Sequence, residues 1–346
     1  MEVITGWTHK AVPVDDASRI GEARRHAAQA AAAMGFGELD AGRLALVVTE
    51  LGTNLHRHAH KGRLLIASRP AFRDIELLAI DEGPGMPDLK RAMQDGQSSG
   101  STPGTGLGAI RRVADDFDIH SAVPQGTLCV ARVRMARPAG AAQQAPLPSP
   151  TIEIGAVQLP APGESVCGDG WAARIEGVHC SLLVADGLGH GPEAAKAAQA
   201  ATAAFSVLAA DGRAGPREVV QAVHQALQAT RGAAMCALSV DVEAGRIGCS
   251  GAGNIAGRVL SGIHDRSIVT QHGTAGLQIR KPEESALELP PHALLIVHSD
   301  GIDTRWKADR LLPLLRCDPA LVAAMLLRDH TRQRDDATVV VLRRGS

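Results

Sequence analysis

A single break in apolar patterning divides this chain into two folding problems. Residues 137–150 read RPAGAAQQAPLPSP. A run of Pro, Ala and Gln without an apolar period builds neither strand nor core, so 137–151 reads as an exposed linker. On each side stands a different acidic and glycine-rich set. Upstream are Glu50-Leu-Gly-Thr-Asn54, Asp81-Glu-Gly83-Pro-Gly85 and Gly104-Thr105-Gly106-Leu107-Gly108. Downstream are Asp169-Gly170, Asp186-Gly187, Asp300-Gly301 and Asp335-Asp336. The 346 residues exceed one usual domain, and 45% hydrophobic content is enough for two cores. The expected division is 1–136, the linker 137–151, and 152–346.

Composition removes several function classes. Lys and Arg number 36 against 37 Asp and Glu, so no net field draws nucleic acid or an anionic membrane. Aromatics are 2% with no Tyr, which leaves little for stacking bases. Protein partners fit this balance better. Six cysteines occur without a CxxC pair and mostly within apolar runs, reading as buried free thiols of a reducing compartment. The N-terminus has no basic region followed by an apolar core, and no stretch approaches the ~18 apolar residues that span a bilayer. The expected location is the cytoplasm, without a membrane.

In the first half, apolar spacing predicts helices over 16–34 and 40–58, strands over 63–69 and 75–80, a helix over 106–116, and strands over 117–121 and 127–134. On the second helix Leu44, Val48, Leu51 and Leu55 face the core, and Glu50, Asn54 and His58 form one ridge beside it. The Asn54 amide oxygen is a hard ligand suited to Mg²⁺ held mainly by phosphates, and Glu50 can orient or deprotonate a hydroxyl. Alone, the pair reads more simply as a solvated helix face. Asp81 ends an apolar strand, where a carboxylate can accept from the adenine amine, and Gly83 and Gly85 let backbone pass close to a base. Alone, that segment is a tight turn. Residues 94–103 read as a small-residue lid, and Gly104 to Gly108 opens a helix whose amides can bind phosphate. GxGxxA and GxSxG patterns also occur here, but each needs a preceding buried strand that residues 90–103 do not supply. His56, His58 and His60 fall on different sides of a helix and read as exposed, not as a metal cluster. Arg24-Arg25 and Arg111-Arg112 are too sparse to suggest DNA.

In the second half, short apolar runs at 152–159, 179–185, 237–242, 247–250, 294–298 and 337–342 predict strands around helices at 192–209 and 216–229. Hydrolysing a phosphoserine at neutral pH needs a strong nucleophile, which two cations about 3.5–4 Å apart generate from water. Such a pair requires several carboxylates. Asp169, Asp186 and Asp300 each precede Gly, which turns the chain at a strand end and exposes a carbonyl as a further hard oxygen. Any one Asp-Gly is more simply a turn, but four such acidic positions are less easily read that way. Gly251-Ala-Gly253-Asn254 reads as a structural turn. His190, in the 187–191 loop, reads either as a phosphate donor or as a loop brace.

The order of the three upstream boxes, and the run Asp81 to Ser121 in particular, resembles the GHKL (Bergerat) fold of bacterial switch-protein serine kinases that act on anti-sigma-factor antagonists and stressosome scaffolds. The resemblance implies Glu50 as catalytic base, Asn54 as Mg²⁺ ligand, Asp81 as adenine reader and the 104–108 segment as phosphate loop, with ATP as cofactor. Downstream, VADGLGHGPEAAKAA, HSDGI and RDDATVVV resemble the PP2C-type phosphatases of the sporulation stage II protein E family. This implies two Mn²⁺ or Mg²⁺ ions, Asp186 bridging both with the Gly187 carbonyl, Asp169 and Asp300 completing the sites, and Asp335 as terminal ligand with Asp336 beside it. The expected fold is α+β in two domains, a GHKL α/β sandwich followed by a PP2C-like α-β-β-α sandwich. The expected function is a regulator that phosphorylates and dephosphorylates a STAS-type antagonist or stressosome protein. In the alternative, the first domain is a sensor or docking module, or an anti-sigma factor that seizes a sigma subunit.

Overall fold

The computed structural model describes residues 3–93, 106–136, 151–210, 212 and 214–345. Two compact units emerge: His9–Ala145, and Met1–Thr8 together with Pro146–Ser346. The expectation that the first domain starts at residue 1 is thereby corrected. A short strand β1 (Ile4–Thr5) pairs with a strand more than 160 positions further on, and only after it does the first unit begin.

That unit runs β2 (Lys10–Pro13), α1 (Ser18–Met34), α2 (Glu38–His58), β3 (Arg63–Arg69), β4 (Asp74–Ile80), α3 (Leu89–Ala92), α4 (Gly106–Val113), β5 (Asp116–Ala122) and β6 (Gly126–Arg134). Its antiparallel sheet has the order β2-β3-β4-β6-β5. With a side-chain period of two, Ile75, Leu77 and Ala79 of β4 share one face and meet Leu44, Val48, Leu51 and Leu55 of α2 in one core. Helix α1 ends where Gly35 turns left-handed at φ 79° and its amide returns to Ala31 and Ala32.

The second unit runs β7 (Ile152–Leu159), β8 (Asp169–Glu176), β9 (His179–Gly187), α5 (Pro192–Ala210), α6 (Pro216–Ala226), β10 (Ala233–Asp241), β11 (Arg246–Ala252), β12 (Ala256–Leu260) and β13 (Asp265–Ile268). There follow β14 (Gly273–Thr274), β15 (Gln278–Ile279), β16 (Ser285–Glu288), β17 (Leu294–His298), α7 (Pro319–His330) and β18 (Ala337–Arg344). Two sheets, β1-β8-β9-β10-β11-β16 and β13-β12-β17-β18-β7, form the inner layers. Helices α5 and α6 cover the first and α7 the second, giving the expected α-β-β-α order.

Alanine explains how closely α5 sits. Ala194, Ala197, Ala198 and Ala201 are buried on the sheet side, and a Cβ on Gly187 would collide with the Ala194 carbonyl. Expected helices and strands recur with end shifts, while β1, β2, α3, α7, β8 and β12 to β16 were not anticipated. The sequence of α7, PALVAAMLLRDH, is buried at ten consecutive positions from Pro319 to Arg328, so it carries no amphipathic signal to read. Among the described residues no helix is long and apolar enough to cross a membrane.

Candidate active sites

In the first unit, Glu50 and Asn54 lie half-buried one turn apart on α2, with His56, His58 and His60 exposed beyond them. Asn54 Nδ2 is buried and has no hydrogen-bond partner among the described residues, an orphan amide of the kind a ligand satisfies. Asp81 stands one residue past the end of β4. Its Oδ1 accepts from the Gly83 amide at 2.7 Å and the Thr127 amide at 3.3 Å, which fixes the carboxylate before any ligand arrives. The turn leaves no room for side chains. A Cβ on Gly83 would lie 2.8 Å from Asp81 Oδ1, and Gly85 and Gly126, at φ 74° and 81°, face the Ala122 and Asp81 carbonyls.

Thr127 and Ser121 were missed in the sequence. Ser121 Oγ holds the Met86 amide at 2.8 Å and shares a 2.9 Å bond with Thr127 Oγ1, tying the Asp81 turn to the β5–β6 hairpin. Gly106, Leu107 and Gly108 form the first turn of α4. Gly104, Thr105 and the lid at 94–103 lie outside the described residues, as do 137–150 of the linker.

In the second unit, the acids collect where four strands end. Asp169 opens β8 directly across from Asp186 on β9. Ser299 and Asp300 follow β17, and Asp335 and Asp336 precede its neighbour β18. Ser299 Oγ donates to Asp169 Oδ2 at 2.7 Å and accepts the Thr338 amide at 3.0 Å, while the Gln158 amide holds the Asp169 carbonyl at 2.6 Å. Asn254 Nδ2 donates to Asp300 Oδ2 at 2.6 Å. Asp336 is buried and accepts the Ala161 amide at 2.8 Å; Asp335, partly exposed, accepts the Asp336 amide at 3.0 Å. His190 bonds Glu164 at 2.7 Å, which matches the loop-brace reading.

These carboxylates raise one another's proton affinity. Burial, then Asp169, Asp300, Asp335 and Asp336, push Asp186 up to about 9. Burial, with Asp336 and Asp300 adding to it, pushes Asp169 up to about 7 against the lowering effect of the Ser299 hydroxyl. Burial and Asp335 raise Asp300. Among the described residues no three His, Cys, Asp or Glu side chains form a preformed metal cage. The donor set is nonetheless that of a hard-cation site: oxygen ligands only, mutual repulsion that a cation relieves, and Asp169 Oδ1 buried without a partner among the described residues.

Sequence reasoning missed the groups that hold these acidic residues, Ser299, Gln158 and Asn254. Asn254, read from sequence as part of a turn, orients Asp300. Asn254→Ala is expected to weaken Mn²⁺ binding roughly 10-fold, the usual scale for a partner that orients a metal ligand. Calorimetric titration of the full chain would measure it, and unchanged affinity would make Asn254 a turn residue only.

Fold and site together define a chain with an ATP-binding unit of the Bergerat type and a phosphatase unit of the PP2C type. Comparison with known proteins agrees. Residues 13–133 match the histidine kinase-like ATPase domain family, and residues 176–345 match the stage II sporulation protein E (SpoIIE) family. Over 108 residues the chain is 33% identical to the serine/threonine-protein kinase RsbT of Bacillus subtilis (strain 168), covering 30% of this chain and 80% of that protein. The chain therefore belongs to the RsbT-like branch of the histidine kinase-like ATPase family, and it carries a SpoIIE serine/threonine phosphatase domain in its second half.

Among solved structures, a chain from work on the bacterial stressosome as a modular system adapted to control secondary messenger signaling aligns at TM-score 0.52 and 28% identity. That match covers 56% of this chain and 99% of the other. RsbX in complex with magnesium aligns at TM-score 0.50 and 21% identity over 56% of this chain and 96% of its own, a likeness of fold alone.

Proposed function

We propose that this chain is a bifunctional partner-switching regulator that adds phosphate to serine or threonine of a STAS-type antagonist or stressosome protein and removes it again. The observation that carries the reading is the convergence of Asp169, Asp186, Asp300 and Asp335 at adjacent strand ends, in a chain that also presents Glu50, Asn54 and Asp81 around an ATP-type turn. The name of the RsbT relative and the stressosome likeness support the partner class. Five buried cysteines without disulfides fit a reducing cytoplasm.

In the kinase half, Asp81 reads the adenine amine while Gly83 and Gly85 admit the base. Asn54 holds the Mg²⁺ that accompanies ATP, the 104–108 segment receives the phosphates, and Glu50 takes the proton of the attacking hydroxyl. In the phosphatase half, Asp186 with the Gly187 carbonyl, Asp169, Asp300 and Asp335 hold two divalent cations. When bound, such a pair supplies Lewis acidity and an activated water. Asp336, beside Asp335, holds the Ala161 amide with one oxygen, and its other oxygen is buried without a partner among the described residues, so it stands as the alternative terminal ligand. Asn254 and Ser299 orient Asp300 and Asp169, so the protein's own groups fix where a phosphoryl group lands.

Intact-mass analysis of a STAS-domain protein incubated with ATP, Mg²⁺ and Mn²⁺ tests both halves, comparing the native chain with Asp186→Asn. Phosphate is expected to accumulate far more with the variant. Equal accumulation with both proteins would overturn the shared-substrate reading. Its absence with both would favour an ATP-binding sensor or a sigma-capturing module over a kinase.

A further inference from the structure

The segment ahead of the ATP-binding unit belongs to the phosphatase sheet, and it grips the strand that carries Asp169. Ile4 and Thr5 pair with Ala173 and Ala172 of β8, and the Gly6 amide continues the ladder to the Trp171 carbonyl at 2.8 Å. Trp7, 4% exposed, sets its ring edge-on to Trp171 with centroids 4.6 Å apart, a geometry that adds specific attraction to the area buried. Gly6 is obligatory in this arrangement, because a Cβ there would stand 2.6 Å from the Trp171 carbonyl and 2.7 Å from its indole.

The alternation of β8 carries this grip to the metal site. Gly170 faces α5, where its notional Cβ would touch Ala198 and Thr202 at 3.2 and 3.3 Å. Asp169 and Trp171 therefore share the opposite face, two residues apart. A cavity of about 340 Å³ lies between Thr5, Gly6 and Thr8, Asp169, and the Ala198–Thr202 stretch of α5. The strap is also the neighbour that closes this edge: without β1, β8 becomes an open edge strand, and the backbone groups of 171–173 that face away from β9 lose their partners.

We propose that residues 4–8 are a positioning strap, with Trp7 and Gly6 acting through Trp171 to hold Asp169 for cation binding. The ATP-binding unit is in that sense inserted into the phosphatase, with chain leading into it and out of it rooted in phosphatase residues. The proposal rests on Asp169 being a metal ligand.

The test uses the full chain with Trp7→Ala, Trp7→Phe and Gly6→Ala, reading Mn²⁺ affinity by calorimetry and amide exchange at residues 171–173. Trp7→Ala is expected to weaken Mn²⁺ binding about 10-fold and to speed exchange at 171–173, with Trp7→Phe restoring most of both. Gly6→Ala keeps the Trp7 side chain but forces the strap and Trp171 apart by the clash of its methyl. It is expected to move both readouts the same way by a few-fold, which keeps the test alive if Trp7→Ala does not fold. Faster exchange with unchanged Mn²⁺ affinity would overturn the positioning role. A native chain that binds no Mn²⁺ would instead overturn the metal assignment itself.

Discussion

Asp186→Asn is expected to lower phosphoester hydrolysis by on the order of 10³-fold, because a divalent cation held there would need a full negative charge that an amide does not supply. The same change is expected to flatten the pH dependence of the metal-free protein's stability. The carboxyl of Asp186 is pushed up to about 9, first by burial and then by its acidic neighbours, whereas in an unfolded chain it titrates near the ordinary value of 3.8. The folded state therefore keeps a proton that the unfolded state has lost, and stability falls as pH rises from about 4 towards 9. Asn carries no such proton, so the variant loses less stability across that window, the remaining fall coming from the raised carboxyls of Asp169 and Asp300. Urea denaturation with chelator present, followed by tryptophan fluorescence at pH 6 and pH 8.5, measures the effect. All three tryptophans, Trp7, Trp171 and Trp306, lie in the phosphatase unit, so the signal reports that unit. A variant as pH-sensitive as the native chain would show that Asp186 is not the group under strain. A variant that hydrolyses phosphoserine at the native rate would remove Asp186 from the centre altogether.

How much of this was legible beforehand depended on range. Asp81, Asp186 and Asp300 could be placed because each follows an apolar run and precedes or opens a glycine turn, so the strand end is written in adjacent residues. Glu50 and Asn54 could be placed because a 3.6-residue period fixes their face. Ser299, Gln158 and Asn254 could not, since a single polar residue in or beside an apolar strand does not announce which acidic residue it will hold. Met1–Thr8 was assigned to the wrong unit for a similar reason: a two-residue strand shows no period, and nothing in Val3-Ile4-Thr5-Gly6-Trp7 points to a partner at Trp171. The charged strand residues Arg69, Asp74, Glu76 and Arg132 look like solvent-facing positions in sequence, yet all four are buried.

That buried set carries the largest expected effect on stability. Glu76 Oε2 accepts from Arg69 at 3.0 Å and from Arg132 at 2.7 Å, and Oε1 faces the His9 ring at 3.3 Å. Asp74 grips Arg69 with two bonds of 2.7 Å, and the Arg69 guanidinium lies 4.5 Å over Phe72. The register explains the cluster: Arg69 faces Asp74 across the β3–β4 turn, and Glu76 faces Arg132 across β4–β6. Burial alone would raise the Glu76 carboxyl, but Arg69 and Arg132, with help from His9, hold it well below the usual carboxylate range. Glu76→Gln removes the charge that answers Arg132 and half of what answers Arg69, and breaking a buried pair in this way costs about 3–5 kcal/mol. The folded pKa is the depressed one, so the contribution is fully present above the unfolded value of about 4.3 and is lost as pH falls below it. The difference between native chain and variant should thus be complete at pH 7 and should shrink below about pH 4. Calorimetric unfolding of the full chain, with far-UV dichroism following the helices of the ATP-binding unit, measures it. Replacing Arg69, Asp74, Glu76 and Arg132 together by apolar residues of similar volume should cost far less than Glu76→Gln alone, because no uncompensated charge then remains in the sheet. If Glu76→Gln left the transition unmoved at pH 7, the cluster would contribute nothing to holding β3, β4 and β6 together, and the Asp81 turn at the end of β4 would owe its placement to apolar packing alone.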